Sequence, residues 1–241
     1  MPDEICKEQA TNIAAYSSAA AVAEFSVYRL LPEEEYILPK YYKQGETLLD
    51  LACGLGRTTL MLHEMGMKVR GVDRSEIFIE TAKRRLPYLD LQVGSYDEIH
   101  EADASWDHVA ISFNGIDYAF PQAQREKALS ECVRVLKPGG TLIFSSHNLK
   151  SLHWFSPYYR YQLKWKLRNF WRAFKEWDYV FEGSAHTFYS SHEYVTRQTE
   201  ALGVQLVEIR GFARFKNPAT DHYFSPYNLY VFRKPAADHA R

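Results

Sequence analysis

The sequence predicts an α/β fold, a mostly parallel sheet with helices on both faces, and three observations predict it. Short apolar runs alternate with helical patterns from Thr47 to about residue 147, and a glycine-bearing turn follows the first of these runs. The 241 residues are 46% hydrophobic and 24% charged, an ordinary globular composition that argues against global disorder.

The first 45 residues read as helices. Asp3 suits an N-cap, an Ala-rich stretch from Ser18 to Leu31 is closed by Pro32, and Pro32 with Glu33, Glu34 and Glu35 suits a new first turn, where acids meet the positive end of the helix dipole. Leu48 to Leu51 is then a strand, Arg57 to Met65 a helix and Lys68 to Val72 a second strand. Ser75 caps a helix to Arg85, Leu89 to Val93 is the third strand, and Trp106 to Phe113 the fourth. Pro121 opens a helix through Leu136, Pro138-Gly139-Gly140 breaks it, and Thr141 to Ser145 is the fifth strand. A helix over Ser191 to Leu202 and strands near Val204 to Ile209 and Leu229 to Phe232 complete a count of seven strands. The expected organisation is one domain over 1–241: an N-terminal helical segment (1–45), a core (46–149), a helical cap insertion (150–186) and a C-terminal helix with strands (187–241).

Charge and cysteines narrow the function classes. Lys and Arg number 29 against 30 Asp and Glu, a net charge of −1 without global attraction to polyanions. No run approaches the roughly 18 apolar residues of a spanning helix, and Met1-Pro2-Asp3-Glu4 leads into no apolar signal region, so a cytoplasmic protein is expected. Cys6, Cys53 and Cys132 are spaced for neither a disulfide framework nor a zinc site, and no metal is expected.

The chemistry concentrates at Asp50-Leu51-Ala52-Cys53-Gly54-Leu55-Gly56-Arg57. Glycines between a strand and its helix let a ligand approach the backbone and the outward-pointing amides of the helix N-terminus. Asp73 follows Gly54 by 19 residues at the end of the second strand, close to the offset of a ribose-binding acid. A third glycine of the dinucleotide fingerprint is missing, because Thr59 stands there, which counts against NAD or FAD.

With Gly71-Val72-Asp73-Arg74-Ser75, Trp106-Asp107-His108-Val109 and Arg134-Val135-Leu136-Lys137-Pro138-Gly139-Gly140, the glycine turn resembles the successive motifs of class I S-adenosylmethionine-dependent methyltransferases, strongly over 47–147 and weakly over 187–232. The resemblance implies a Rossmann-like, seven-stranded sheet with a reversed final hairpin, and S-adenosylmethionine as cofactor. It also implies site residues. The backbone of Ala52, Cys53, Gly54 and Gly56 lines the methionine part, Asp50 organises its ammonium group, and Arg57 faces its carboxylate. Asp73 binds the ribose diol, Arg74 lies along the adenine, and Ser95 and Tyr96 sit at its edge. The family often has an acid at position 95, so either Ser95 serves more weakly or Asp97 substitutes. Asn114 borders the methionine amino group, and Tyr16 resembles a tyrosine that closes over the cofactor in several small-molecule members.

Methyl transfer from a sulfonium needs alignment first and a general base only when the nucleophile arrives protonated. His147, in Ser145-Ser146-His147-Asn148 at the end of the fifth strand, is the leading base candidate, since ligands of open parallel sheets bind beyond the carboxyl ends of the strands. Asp117 and Tyr118 come next, and His186 and His192 are weaker. A backbone-bonded loop histidine is the competing reading of His147.

Lys150 to Lys175 carries seven basic residues, Lys150, Arg160, Lys164, Lys166, Arg168, Arg172 and Lys175, and no acid. From Pro157 onward, Leu163, Leu167, Phe170, Trp171, Phe174 and Trp177 recur at helical spacing, which predicts an amphipathic cap helix. Tyr158, Tyr159, Tyr161 or Trp165 would line an acceptor pocket there. The expected function is methyl transfer to oxygen or nitrogen of a small-molecule acceptor, anionic or aromatic. The alternatives are an RNA or lipid-like acceptor held by the insertion, and a non-catalytic cofactor-binding protein; the neutral chain and the lack of an Asn-Pro-Pro-Tyr type motif, with Asn114 followed by Gly115-Ile116-Asp117-Tyr118, weigh against nucleic acid.

Overall fold

The computed structural model describes residues 7–16, 18–24, 26, 28–151, 175–182, 185–211 and 221–236. Three helices precede the sheet: α1 (Lys7–Ala15), α2 (Ala19–Glu24) and α3 (Pro32–Tyr41). Pro32 opens α3 as expected, and Glu34 in its first turn accepts from the Leu31 N–H at 2.8 Å. The helix expected over Ser18 to Leu31 ends at Glu24. Phe25, Ser26, Val27 and Tyr28 are weak helix formers in succession, and the Tyr28 ring packs into the cluster of Cys53, Ile79 and Leu91. The expected Asp3 cap lies outside the described residues.

β1 (Thr47–Leu51) lies inside the sheet and pairs in parallel with β2 (Lys68–Asp73) and β4 (Trp106–Ile111). β3 (Asp90–Val93) extends one side in parallel, and β5 (Leu136–Asn148) the other. β9 (Tyr227–Arg233) runs antiparallel to both β5 and β8 (Gln205–Gly211). The order β3-β2-β1-β4-β5-β9-β8 with β9 reversed is the arrangement expected of the seven strands. Helices α4 (Arg57–Glu64), α5 (Glu76–Arg85), α6 (Gln122–Val135) and α7 (His192–Glu200) connect them, with a short α8 (Asp221–Phe224) before β9. Ser75 and Ser191 cap α5 and α7 by accepting from the Phe78 and Tyr194 N–H groups.

Two further strands correct the expected count: nine are present among the described residues. β6 (Trp177–Glu182) and β7 (Ala185–Ser190) form an antiparallel hairpin, and β7 joins β5 in parallel at His147 and Asn148. The segment ending the expected helical cap is therefore strand. Trp177, Tyr179 and Phe181 recur at period two, and the Trp177 and Tyr179 rings pack against Phe188. The rest of the expected cap helix, with Tyr158, Tyr159, Tyr161 and Trp165, lies outside the described residues.

Strand alternation sorts the core into two layers. Leu49, Leu51, Val109, Ile111, Leu142 and Phe144 pack with Ala128, Leu129 and Cys132 of α6. On the other face Leu48, Ala110, Ile143 and Leu229 pack with Ile37 and Leu38 of α3. Among the described residues, no helix is long and apolar enough to cross a membrane.

Candidate active site

β1 sends its chain toward β2 on one side of the sheet while β4 lies on the other, so the loops leaving β1 and β4 meet where the strand order reverses. They meet closely: a Cβ added to Gly115 would lie 2.8 Å from the Ala52 Cβ. Backbone strain gathers at this junction. Ala52, Phe113 and Asn114 all adopt positive φ, at 54°, 52° and 59°. Phe113 and Asn114 are why β4 ends at Ile111 instead of Phe113 as expected.

The glycine turn is built by two aspartates. Asp73, at the end of β2, accepts from the Gly54 N–H and the Ser75 N–H, both at 2.8 Å. Gly54 and Gly56 take φ of 57° and 82°, and Gly56 caps α4, a geometry that disfavours any side chain. Asp50 lies beneath the turn and is fully buried; its Oδ2 accepts from Thr59 Oγ1 at 2.6 Å, while its Oδ1 has no hydrogen-bond partner among the described residues. Burial pushes its carboxyl up to about 7, against the Thr59 hydrogen bond and the Arg57 charge that favour ionisation. The Cys53 side chain turns into the cluster of Ile79, Ala82 and Leu86, so only its backbone belongs to the turn.

Arg57 departs from expectation. It donates through Nη1 and Nη2 to Glu34 at 2.6 and 2.7 Å and through Nη1 to the Arg29 carbonyl at 2.8 Å, which ties α3 to the start of α4 instead of leaving the guanidinium to a ligand carboxylate. Glu34 was missed by sequence reading because an acid in a first helical turn has an ordinary explanation as a dipole partner.

Beyond β2 and β3, Arg74 Nη2 donates to Ser95 Oγ at 2.6 Å and to Asp97 Oδ1 at 3.0 Å, and its guanidinium lies over the Tyr96 ring. Ser95 also donates to Asp97, which accepts from Gln124 Nε2 at 2.9 Å as well. Burial alone would raise the Asp97 carboxyl, but the Ser95 and Gln124 hydrogen bonds and the Arg74 charge hold it below the ordinary range. Ser95 and Asp97, alternatives in sequence, are thus one hydrogen-bonded unit.

Tyr16 comes to the same edge. Its carbonyl accepts from Ser75 Oγ at 2.9 Å, and its ring meets the edge of Tyr118 with centroids 4.8 Å apart, so it spans the ends of β2 and β4. Asn12 anchors α1 there by donating to the Tyr118 and His186 carbonyls and accepting from the His186 N–H at 2.7 Å. Its partners stand 106 and 174 residues away, so no local pattern announces it.

On the far side of the junction, Asn114 is buried, its N–H donates to Ser145 Oγ at 2.7 Å, and its Oδ1 has no partner among the described residues. His147 is held by Asp117 of the 3-10 turn Gly115–Tyr118: the His147 backbone N–H donates to Asp117 Oδ2 at 2.7 Å, and the ring Nδ1 lies 2.8 Å from the same oxygen. Nε2 stands 3.3 Å from Asn114 Nδ2, and the ring packs against Tyr189. Asp117 Oδ1 accepts from Arg125 at 2.8 Å and from Ser146 Oγ at 2.7 Å. His192 instead meets His222 and Tyr223 edge to face, and His186 packs on Phe120.

Comparison with known proteins agrees with this construction. Residues 48–140 match the family described as "Methyltransferase domain". A probable S-adenosylmethionine-dependent methyltransferase of Mycolicibacterium smegmatis is 34% identical over 104 residues, 43% of this chain and 39% of that protein. A demethylmenaquinone methyltransferase of Paenarthrobacter aurescens is 35% identical over 124 residues, 51% of this chain and 47% of that protein. The chain thus spans less than half the length of either relative. In fold it is similar to a Burkholderia thailandensis 1,6-didemethyltoxoflavin-N1-methyltransferase with bound 1,6-didemethyltoxoflavin and S-adenosylhomocysteine, with a TM-score of 0.64 at 15% identity, covering 94% of this chain and 87% of that one.

Proposed function

We propose that the chain is a class I, S-adenosylmethionine-dependent methyltransferase that transfers a methyl group from S-adenosylmethionine to a small-molecule acceptor bound beyond the ends of β4 and β5, a reading supported by the match of residues 48–140 to the methyltransferase domain family and by the S-adenosylmethionine-dependent relative. One observation carries this reading: two buried side chains at the strand-order reversal, Asp50 near the end of β1 and Asn114 after β4, each keep an oxygen without a partner among the described residues. Buried acceptors are ordinarily satisfied, so the pair calls for a donor-rich ligand, and the ammonium group of a methionine moiety supplies the charge and the N–H groups.

The other residues fit the same ligand. Gly54 and Gly56 leave the turn open at the α4 N-terminus for the cofactor carboxylate. Asp73 retains lone pairs on both oxygens for the ribose diol, and the Arg74, Ser95, Tyr96 and Asp97 unit borders the adenine. Tyr16 closes the entrance. When bound, the cofactor supplies an electrophilic methyl group on a cationic sulfur; the chain aligns the acceptor and excludes water. A small acceptor is favoured because the similar Burkholderia protein holds one in its structure.

The direct test is calorimetry. Binding of S-adenosylmethionine and S-adenosylhomocysteine with no heat from NAD is the expected result, and NAD binding without the other two overturns the proposal.

Asp50 adds a pH signature. Its carboxyl is raised in the folded protein, so below about pH 7 it holds a proton that a cationic ligand must displace. Cofactor affinity is expected to fall about tenfold per pH unit below that point, with about one proton released on binding at pH 6 and none at pH 8.5. Calorimetry in two buffers of different ionisation enthalpy measures this, and Asp50→Asn should abolish the proton release.

A further inference from the structure

Asp117, Arg125 and His147 form an assembly, bordered by Asn114, that cofactor binding does not require. Asp117 and Arg125 are both 0% exposed, and the carboxylate accepts four hydrogen bonds, from Arg125, Ser146, the His147 backbone and the His147 ring. A carboxylate only accepts, so the ring proton of a neutral His147 sits on Nδ1 and the lone pair on Nε2. The amide Nδ2 of Asn114 faces that lone pair at 3.3 Å, a long contact that a better donor displaces. The His147 side chain keeps 18% of its surface exposed, whereas the side chain of Asp117 is fully enclosed. A surface histidine with a structural task has no need of a buried carboxylate, itself neutralised by a buried arginine, to choose its tautomer.

Resting on the methyltransferase reading above, we propose that His147 is a general base positioned by Asp117 and Arg125, and that the acceptor is therefore a neutral hydroxyl, a phenol, enol or alcohol, methylated on oxygen. The acceptor O–H bond breaks and its proton passes to His147 Nε2, while the oxygen forms a bond to the methyl carbon. The carbon–sulfur bond breaks with its electron pair left on sulfur, which becomes a neutral thioether. The imidazolium so formed is held by the Asp117 carboxylate. An ionised carboxylate would present its lone pair directly and leave this assembly without a task, and an ammonium acceptor, which would need the same base, is the alternative that the amine panel separates.

The face of the sheet that carries His147 supports the assignment. Tyr227 lies opposite His147 in the β5–β9 register, and its hydroxyl donates to the buried Glu33 at 2.6 Å. Tyr189 packs on the imidazole from β7 with centroids 4.7 Å apart. The base thus has a tyrosine at its register position on each neighbouring strand, and the Tyr189 ring fixes one face of the imidazole from a strand rather than a loop.

Two measurements on the full chain test the proposal. In the complex with S-adenosylhomocysteine, long-range proton–nitrogen correlation of histidine-labelled protein, with His147 identified by the signal lost in His147→Gln, should show Nδ1 protonated and Nε2 bare. Asp117→Asn should shift the ring toward the other tautomer, and Nε2 protonation in the parent protein overturns the proposal. With methyl-labelled S-adenosylmethionine, size-matched panels of phenols and alcohols, amines, and carboxylates should show label on hydroxyl acceptors. His147→Gln should lower kcat on these about a hundredfold or more, while KM and cofactor affinity stay within about threefold. Label confined to amines or carboxylates, no label on any hydroxyl acceptor while the cofactor binds, or full activity of His147→Gln each overturns it. Failure of the parent protein to bind the cofactor defeats the methyltransferase reading instead.

Discussion

Asp117→Leu is expected to cost about 3–5 kcal/mol of folding free energy, read as a drop in the urea midpoint with an unchanged slope. The reason is the group left behind. Arg125 is fully buried, and its guanidinium is held by Asp117 Oδ1 at 2.8 Å, the Ile116 carbonyl at 3.1 Å and, more loosely, Ser146 Oγ at 3.4 Å, with the Phe188 ring 4.3 Å away. The carbonyl, the hydroxyl and the ring do not neutralise a cation in a low-dielectric interior, and water does not reach it. The same change strips the His147 N–H of its acceptor. Asp117→Leu combined with Arg125→Met should recover most of the loss, because a buried ion pair replaced by apolar side chains of similar size is close to neutral. A single substitution costing under about 1 kcal/mol, within the range of an exposed pair, would show that the arginine finds another partner.

Asp73→Ala is expected to weaken cofactor binding by about 2 kcal/mol, roughly thirtyfold in Kd, through loss of charge-assisted hydrogen bonds to the ribose. The structure gives the substitution a second effect. Asp73 also holds the Gly54 and Ser75 N–H groups, so alanine loosens the turn that forms the other half of the site. Asp73→Asn separates the two effects. Its amide oxygen keeps one backbone contact while the charge is lost, and an intermediate loss of about tenfold is expected. Titration calorimetry on both variants, with thermal unfolding to check the fold, gives the comparison. Unchanged affinity in Asp73→Ala would place the ribose-binding acid elsewhere.

Much of the half proposed to hold the cofactor was legible before any coordinates. Positive φ at Gly54 and Gly56, the Ser75 cap and the acid at the end of β2 are local properties, and a few adjacent residues specify each of them. Trp177 shows where such reasoning misleads. Its spacing from Phe170, Trp171 and Phe174 suits a helix, while its spacing to Tyr179 and Phe181 suits a strand, and pairing with β7 decides for the strand. Arg57 misled for a different reason: a basic residue at the mouth of a helix N-terminus suggests an anionic ligand, and the acid that occupies it comes from 23 residues upstream.

The sequence by itself determined the alternation of strands and helices and the glycine turn, because periodicity and backbone conformation are written within a few residues of each position; the reversed final strand and the class of cofactor followed from the resemblance of its motifs to a known family. Only the tertiary structure decided what holds His147. Its carboxylate partner lies 30 residues away, and the arginine that neutralises that carboxylate lies eight residues beyond it. These groups meet because β4 and β5 pair in one register and strained backbone at Phe113 and Asn114 turns the chain back over the sheet. A contact of that kind depends on strand register and burial, which belong to the whole fold.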